Sequence, residues 1–316
     1  MTLDVVDCFG ALAEYRGEIA SLAAAFAWAI TSLIFVRVRV PAAALNLFKN
    51  AASCVFLFLT LVAFALLGDG AERPGSVVAA DVLTWSWLVA SAVIGLVIGD
   101  HGYFRSLQIL GARRALILLT LTPPSSALIA GLVLGERLGA SAWVGMALTL
   151  AGVVWVVRER MATSETPGHY PGSTTAGVLY GLLGCIGQAA GAVLSKLAMA
   201  RGIEPLDATF ARMLIAVVAG LALAMVGRRV VAWTRALATP HVLARLVPAS
   251  FLGTYLGVWA CLFAYRHTEV GVATTLQSTS PIFVLPLVWI VLRQPVSARA
   301  ALGALLAVAG IAVLLL

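Results

Sequence analysis

The chain has 316 residues, of which 61% are hydrophobic and 11% charged, where an ordinary soluble domain carries about 25% charged residues. So few charges cannot cover a water-facing surface, and the same apolarity excludes a disordered chain. The net charge of +7 does not indicate a nucleic-acid partner: Lys and Arg stand singly or in pairs between apolar runs, where they set orientation and meet lipid headgroups.

The residues 1–16 carry Asp4, Asp7 and Glu14 against Arg16. They lack the basic start of a signal peptide, so the first span is expected to stay attached. Apolar runs then separate at charges, Gly and Pro into spans at 18–38, 45–67, 86–110, 112–135 and 140–158. A polar linker follows at 161–175, with Pro167, Gly168, Pro171 and Gly172. Five more runs lie at 176–198, 208–227, 247–266, 272–292 and 298–316. The expected fold is an all-α integral membrane protein of ten transmembrane helices, in two five-helix units at 17–160 and 176–316. Its expected setting is the bacterial inner (plasma) membrane.

Cys8, Cys54, Cys185 and Cys261 form no CxxC or Cys/His cluster and read as small packing residues. No Walker loop, HExxH or GxSxG occurs, so neither ATP hydrolysis nor a cofactor or metal is expected.

The two halves repeat. Pro123 and Pro281 are 158 apart, and the same offset pairs Gly95 with Gly253, Gly99 with Gly257, Gly145 with Gly303 and Gly152 with Gly310. Toward the start of each half the register slips, so that Pro41 matches Pro205 and Lys49 falls near Arg212. Five spans is an odd number, so the second half enters the membrane in the opposite sense. Inverted repeats of this kind are typical of secondary transporters with a site at the repeat interface.

The run Leu121-Thr-Pro-Pro-Ser-Ser-Ala-Leu-Ile-Ala-Gly-Leu-Val-Leu-Gly-Glu136-Arg-Leu, followed by Gly145 and Gly152, resembles the EamA-like branch of the drug/metabolite transporter superfamily. Gly111-Ala-Arg-Arg-Ala115 is similar to the family's short turn between spans three and four, and Ser280-Pro281, Gly303 and Gly310 repeat the pattern. The second copy departs from it, because Gln294 and Pro295 stand where the first has Glu and Arg. The resemblance covers roughly 17–316. It implies a ten-span transporter that moves small metabolites, often outward, by alternating access.

Within this frame some residues have a physical case. Gly95/Gly99 and Gly253/Gly257 are GxxxG pairs that let a neighbouring backbone approach. Pro123, Pro124 and Pro281 fall inside spans, where each removes a backbone donor and acts as a kink or a hinge. Asp100 lies near the centre of the third span beside His101. A charge there costs about 2.5–3.5 kcal/mol on insertion scales. The pair is a candidate for substrate recognition or proton coupling, and the alternative is a buried ion pair of Asp100 with Lys196, Arg105 or another cation. Lys49, Lys196 and Arg212 either snorkel or favour an anionic group on the substrate. Trp28, Gln188, Trp259, Gln277 and Ser278 are uncharged candidates for lining a cavity. Hydroxyls near the prolines, among them Thr120, Thr122, Thr279 and Ser280, either reach substrate or bond their own backbone.

Two signals about orientation disagree. Thirteen Lys and Arg lie near the loops of one side and five on the side of both termini, which places the termini outside. The resemblance implies cytoplasmic termini. The expected function is a secondary transporter with a small-molecule substrate, membrane lipid and protons as partners, and no nucleic acid. The alternative is an integral-membrane enzyme acting on a lipid or isoprenoid, which would need clustered carboxylates. A scaffold has no need of an in-span Asp or paired prolines.

Overall fold

The computed structural model describes residues 14–35, 38, 40–67, 75–110, 112–161, 172–292 and 297–316. The expectations for Cys8, for the retained N-terminal segment, for most of the linker and for Gln294-Pro295 lie outside the described residues. Helical runs follow one another along the chain: α1 (Arg16–Phe35), α2 (Ala42–Leu67), α3 over 82–110, α4 over 112–133 and α5 (Ala140–Met161). Then come α6 (Thr174–Met199), α7 (Pro205–Val226), α8 over 240–267, α9 over 270–292 and α10 (Ala298–Leu314). Among the described residues, seven of these runs are long and apolar enough to cross a membrane, and α10 is a shorter apolar helix. A short exposed helix, Val230–Leu237, follows Arg228-Arg229, where the sequence reading places no element.

Two pairs of irregularities interrupt the rods, and each pair obeys the 158-residue offset. α3 contains a π-helical stretch, Ala92–Gly99, and α8 contains another, Ser250–Leu256. A π-turn leaves carbonyls poorly matched within its own helix, and lipid cannot satisfy them. Neighbouring side chains do so here. Asn46 Nδ2 donates to the Leu96 carbonyl at 3.2 Å, Trp28 Nε1 to Gly253 at 2.8 Å and Ser53 Oγ to Ser250 at 3.3 Å.

The second pair corrects the proline reading. α4 is two helices, Ala112–Leu119 and Thr122–Val133, and α9 is two helices, Val270–Gln277 and Ser280–Leu292. Pro123 and Pro281 each occupy the second residue of the downstream half-helix. There the missing N–H has no intrahelical partner to lose and the fixed φ suits a helix start. The prolines therefore begin half-helices instead of kinking continuous ones. Pro248 and Pro286, by contrast, do lie inside helical segments.

The halves pack on each other through glycine. A Cβ on Gly152 would stand 2.5 Å from both the Ala307 nitrogen and the Gly303 oxygen, and Gly145 abuts Leu314 and Gly310 as closely. The contacts 145·310 and 152·303 exchange under the 158 offset. Between them Thr149 Oγ1 meets the Ala307 carbonyl at 3.5 Å, two positions themselves 158 apart. Such reciprocity is what a two-fold axis imposes, and the pairing runs antiparallel. Gly95 and Gly99 of α3 lie against Gly191 and Gly187 of α6, while Gly253 and Gly257 of α8 lie against Thr31 and Trp28 of α1. These two seams are again counterparts under the repeat.

Candidate functional site

Polar side chains converge where α2, α3 and α6 meet. Asp100 opens the α-helical segment after the π-turn and is only 7% exposed. Its Oδ2 accepts from Lys49 Nζ at 3.1 Å and its Oδ1 from Gln188 Nε2 at 2.7 Å. The buried ion pair given as the alternative for Asp100 thus exists, and the cation is another one than Lys196 or Arg105, namely Lys49 of α2. Lys49 does not snorkel away. It holds a carboxylate that would otherwise be an unpaired charge at membrane depth.

His101 turns away from this group. Its ring is exposed and meets Tyr180 edge-on at 6.2 Å, because adjacent helical residues point about 100° apart. The structure does not bring Asp100 and His101 together.

Arg212 of α7 is buried and lies near Asp100, Cys261 and Tyr265. Its guanidinium comes within 3.4 Å of where a Cβ on Gly95 would stand. Gln277 ends the first half of α9. Its Oε1 accepts from Tyr265 Oη at 3.1 Å and from Cys261 Sγ at 3.4 Å. Gln188 and Gln277, read from the sequence as possible cavity residues, therefore belong to two adjoining polar clusters. Nothing local in the sequence distinguishes Tyr265 and Cys261 from their apolar neighbours.

The other candidates are placed differently. Trp28 is held by its bond to Gly253. Trp259 lies 6.0 Å from Tyr255, ring to ring, and lines an apolar recess of about 380 Å³ between α1 and α8 with Phe26 and Phe263. Ser278 Oγ bonds its own helix at Thr274 O, 2.8 Å away, and Thr120, Thr279 and Ser280 likewise bond carbonyls three residues back. The buried Ser126 hydroxyl beside the α4 break has no hydrogen-bond partner.

Lys196 belongs to a separate network at the level of the α4–α5, α6–α7 and α8–α9 connections. Its ammonium lies 2.6 Å from Glu136 and donates to the Thr268 carbonyl at 2.7 Å. Glu136 also accepts from the Val270 N–H at 2.9 Å, and Thr268 Oγ1 donates to Glu18 at 2.7 Å. Asp207 accepts from the Gly75 and Ser76 amides, at 3.0 and 2.7 Å, and Gly75 reaches it with φ +111°, open to glycine alone at low strain. At the surface Asp81 caps α3 through Thr84 and pairs with Arg201, and these contacts, Thr84 first, hold its carboxyl down at about 2. Most of these ties join the first half of the chain to the second.

The residues matched by the family model described as "EamA-like transporter family" are 15–158 and, a second time, 175–316. The chain belongs to the EamA-like transporter family. Membership and the apolar helices make it a multi-pass integral membrane protein of the drug/metabolite transporter type. A solved crystal structure shares the fold with a TM-score of 0.74 at 17% identity, over 95% of this chain and 97% of the other. No curated protein matches. In this EamA-like chain both repeats are present, and the Asp100 and Arg212 clusters lie on helices drawn from both.

Proposed function

We propose that this protein is a secondary transporter that carries small organic metabolites or drugs by alternating access, with ten membrane crossings in two inverted repeats. The observation that carries the reading is the pair of helix breaks at 120–121 and 278–279, counterparts under the repeat. Discontinuous helices at the repeat interface are how such proteins build a midplane site. Two kinds of contact between halves suit a rocking motion: smooth glycine seams, and polar ties at one face that can break and re-form. Export is the proposed direction, and Asp100, held by Lys49 and Gln188, is the proposed point of proton coupling. The setting is the bacterial inner membrane.

The test is transport by the purified protein in liposomes, against a panel of amino acids, sugars, nucleosides, organic acids and cationic drugs, with and without an imposed pH gradient. Counterflow of at least one class supports the reading. Acceleration by the gradient that Asp100→Asn abolishes supports coupling. No movement of any class, from protein that remains folded, overturns the proposal.

A further inference from the structure

From the Arg212 cluster, and resting on the transporter reading above, we infer that the cargo is an organic monoanion whose carboxylate is bound by Arg212 and Gln277. Three observations lead there. The first is charge. Lys49 and Arg212 bring two positive charges to this region and Asp100 one negative, and both oxygens of Asp100 are already taken by Lys49 and Gln188. Arg212 lies in the field of Asp100 without sharing its hydrogen bonds. A surplus positive charge at membrane depth is strongly unfavourable unless an anion meets it.

The second is unused donors. Arg212 is 5% exposed and its Nε has no partner; Gln277 is 6% exposed and its Nε2 has none. Both are N–H groups, so what they lack is an acceptor. Cys261 and Tyr265 tie the two together, because both donate to Gln277 Oε1 and both lie near Arg212. With its oxygen engaged by two donors, Gln277 offers only its NH₂ to a ligand.

The third is position. Gln277 is the last residue of the first half of α9, at the break. Arg212 lies against the π-helical stretch of α3, its guanidinium in ordinary van der Waals reach of a Cβ at Gly95. The binding groups all belong to the second repeat, but they sit at the α9 break and against the π-helical stretch of the first repeat's α3, where relative motion of the repeats would alter the site. A guanidinium fork matches a carboxylate in geometry as well as charge, and one surplus charge matches one carboxylate better than a dianionic phosphate.

The experiment is thermal unfolding of the purified full-length protein with aliphatic, aromatic and amino-acid carboxylates, each beside its neutral amide and its amine counterpart. Carboxylates are expected to raise Tm where their amides and amines do not. In Arg212→Gln the same carboxylates bind at least tenfold more weakly, and Gln277→Leu weakens them several-fold. Equal shifts from amides or amines, or full carboxylate binding by Arg212→Gln, would overturn the inference. So would wild-type protein with no carboxylate preference, which needs no variant to fold. If Arg212→Gln fails to fold, Gln277→Leu and the wild-type series decide. Transport of neutral or cationic compounds unaffected by Arg212→Gln would remove the anion site and leave the transporter reading standing.

Discussion

Lys49 and Asp100, 51 residues apart in sequence, meet at 3.1 Å inside the helix bundle with little of either side chain exposed. The pair is costly to assemble and more costly to break. Removing one partner leaves the other as an unpaired charge, at about 3–5 kcal/mol. Asp100→Leu or Lys49→Met alone should lower Tm severely, and the double variant should recover most of the loss. A double-mutant cycle on detergent-purified protein checks this. Additive losses would mean that the two charges are independently solvated.

The α5–α10 seam gives a sharper steric prediction. At Gly152 a methyl group would meet backbone atoms at 2.5 Å and the Ala307 Cβ at 2.8 Å, none of which a rotamer change can move. Gly152→Ala should destabilise by about 1–3 kcal/mol or more. Gly139→Ala is the control, since its Cβ would meet only Ser141 Oγ at 3.7 Å, and it should leave stability within about 0.5 kcal/mol. A well-behaved Gly152→Ala with wild-type Tm would show that the seam is looser than drawn.

How much of this was written in the sequence depends on the range of the interaction. The apolar runs, the repeat offset and the glycine seams were legible, because each is a pattern of residue types along one helix. The π-turns at 92–99 and 250–256 were not, since a π-turn has no residue signature comparable to proline or glycine. Pro123 and Pro281 were legible as irregularities, a kink or a hinge, but not as helix starts: proline both breaks helices and begins them, and only the chain path distinguishes the two. Asp100 stood out as an in-span charge, yet its partner did not. Lys49 is on another helix and Glu136, the partner of Lys196, is in the α4–α5 connection, and which segments adjoin is decided by tertiary packing. Gln277 and Arg212 were visible as polar residues in apolar runs, whereas Tyr265 and Cys261 acquire meaning only from the neighbours they donate to.

The ties around Lys196 should control which face of the transporter opens. Glu136 holds both the Lys196 ammonium and the Val270 amide that starts α9. Glu136→Gln keeps the size and the amide contact but gives up the ion pair. We expect it to populate the state open at this face, raising the rate at which a membrane-impermeant maleimide modifies a cysteine introduced at Ala273 in a cysteine-free background. Glu136→Ala should raise it further. An unchanged or slower rate in both would mean that the network is a fixed strut and that opening occurs elsewhere.

Asp81 offers a titration whose sign can be worked out in advance. Its carboxyl is held at about 2, below the ordinary 3.8, by the Thr84 contacts and Arg201. A group with a lowered folded-state value adds stability that is complete above about 3.8 and is lost as pH falls through about 2. Wild type should therefore exceed Asp81→Asn in Tm by a constant margin from neutral pH down to about 5. The margin should shrink below about 4 and close near 2. Because Asp81 and Arg201 are solvent-exposed, the part due to the pair should also weaken in high salt, while the helix-cap part persists. Thermal unfolding of both proteins across pH at two salt concentrations separates these contributions. A margin that grew on acidification would show that Asp81 is stabilised in its protonated form, contrary to the geometry at the start of α3.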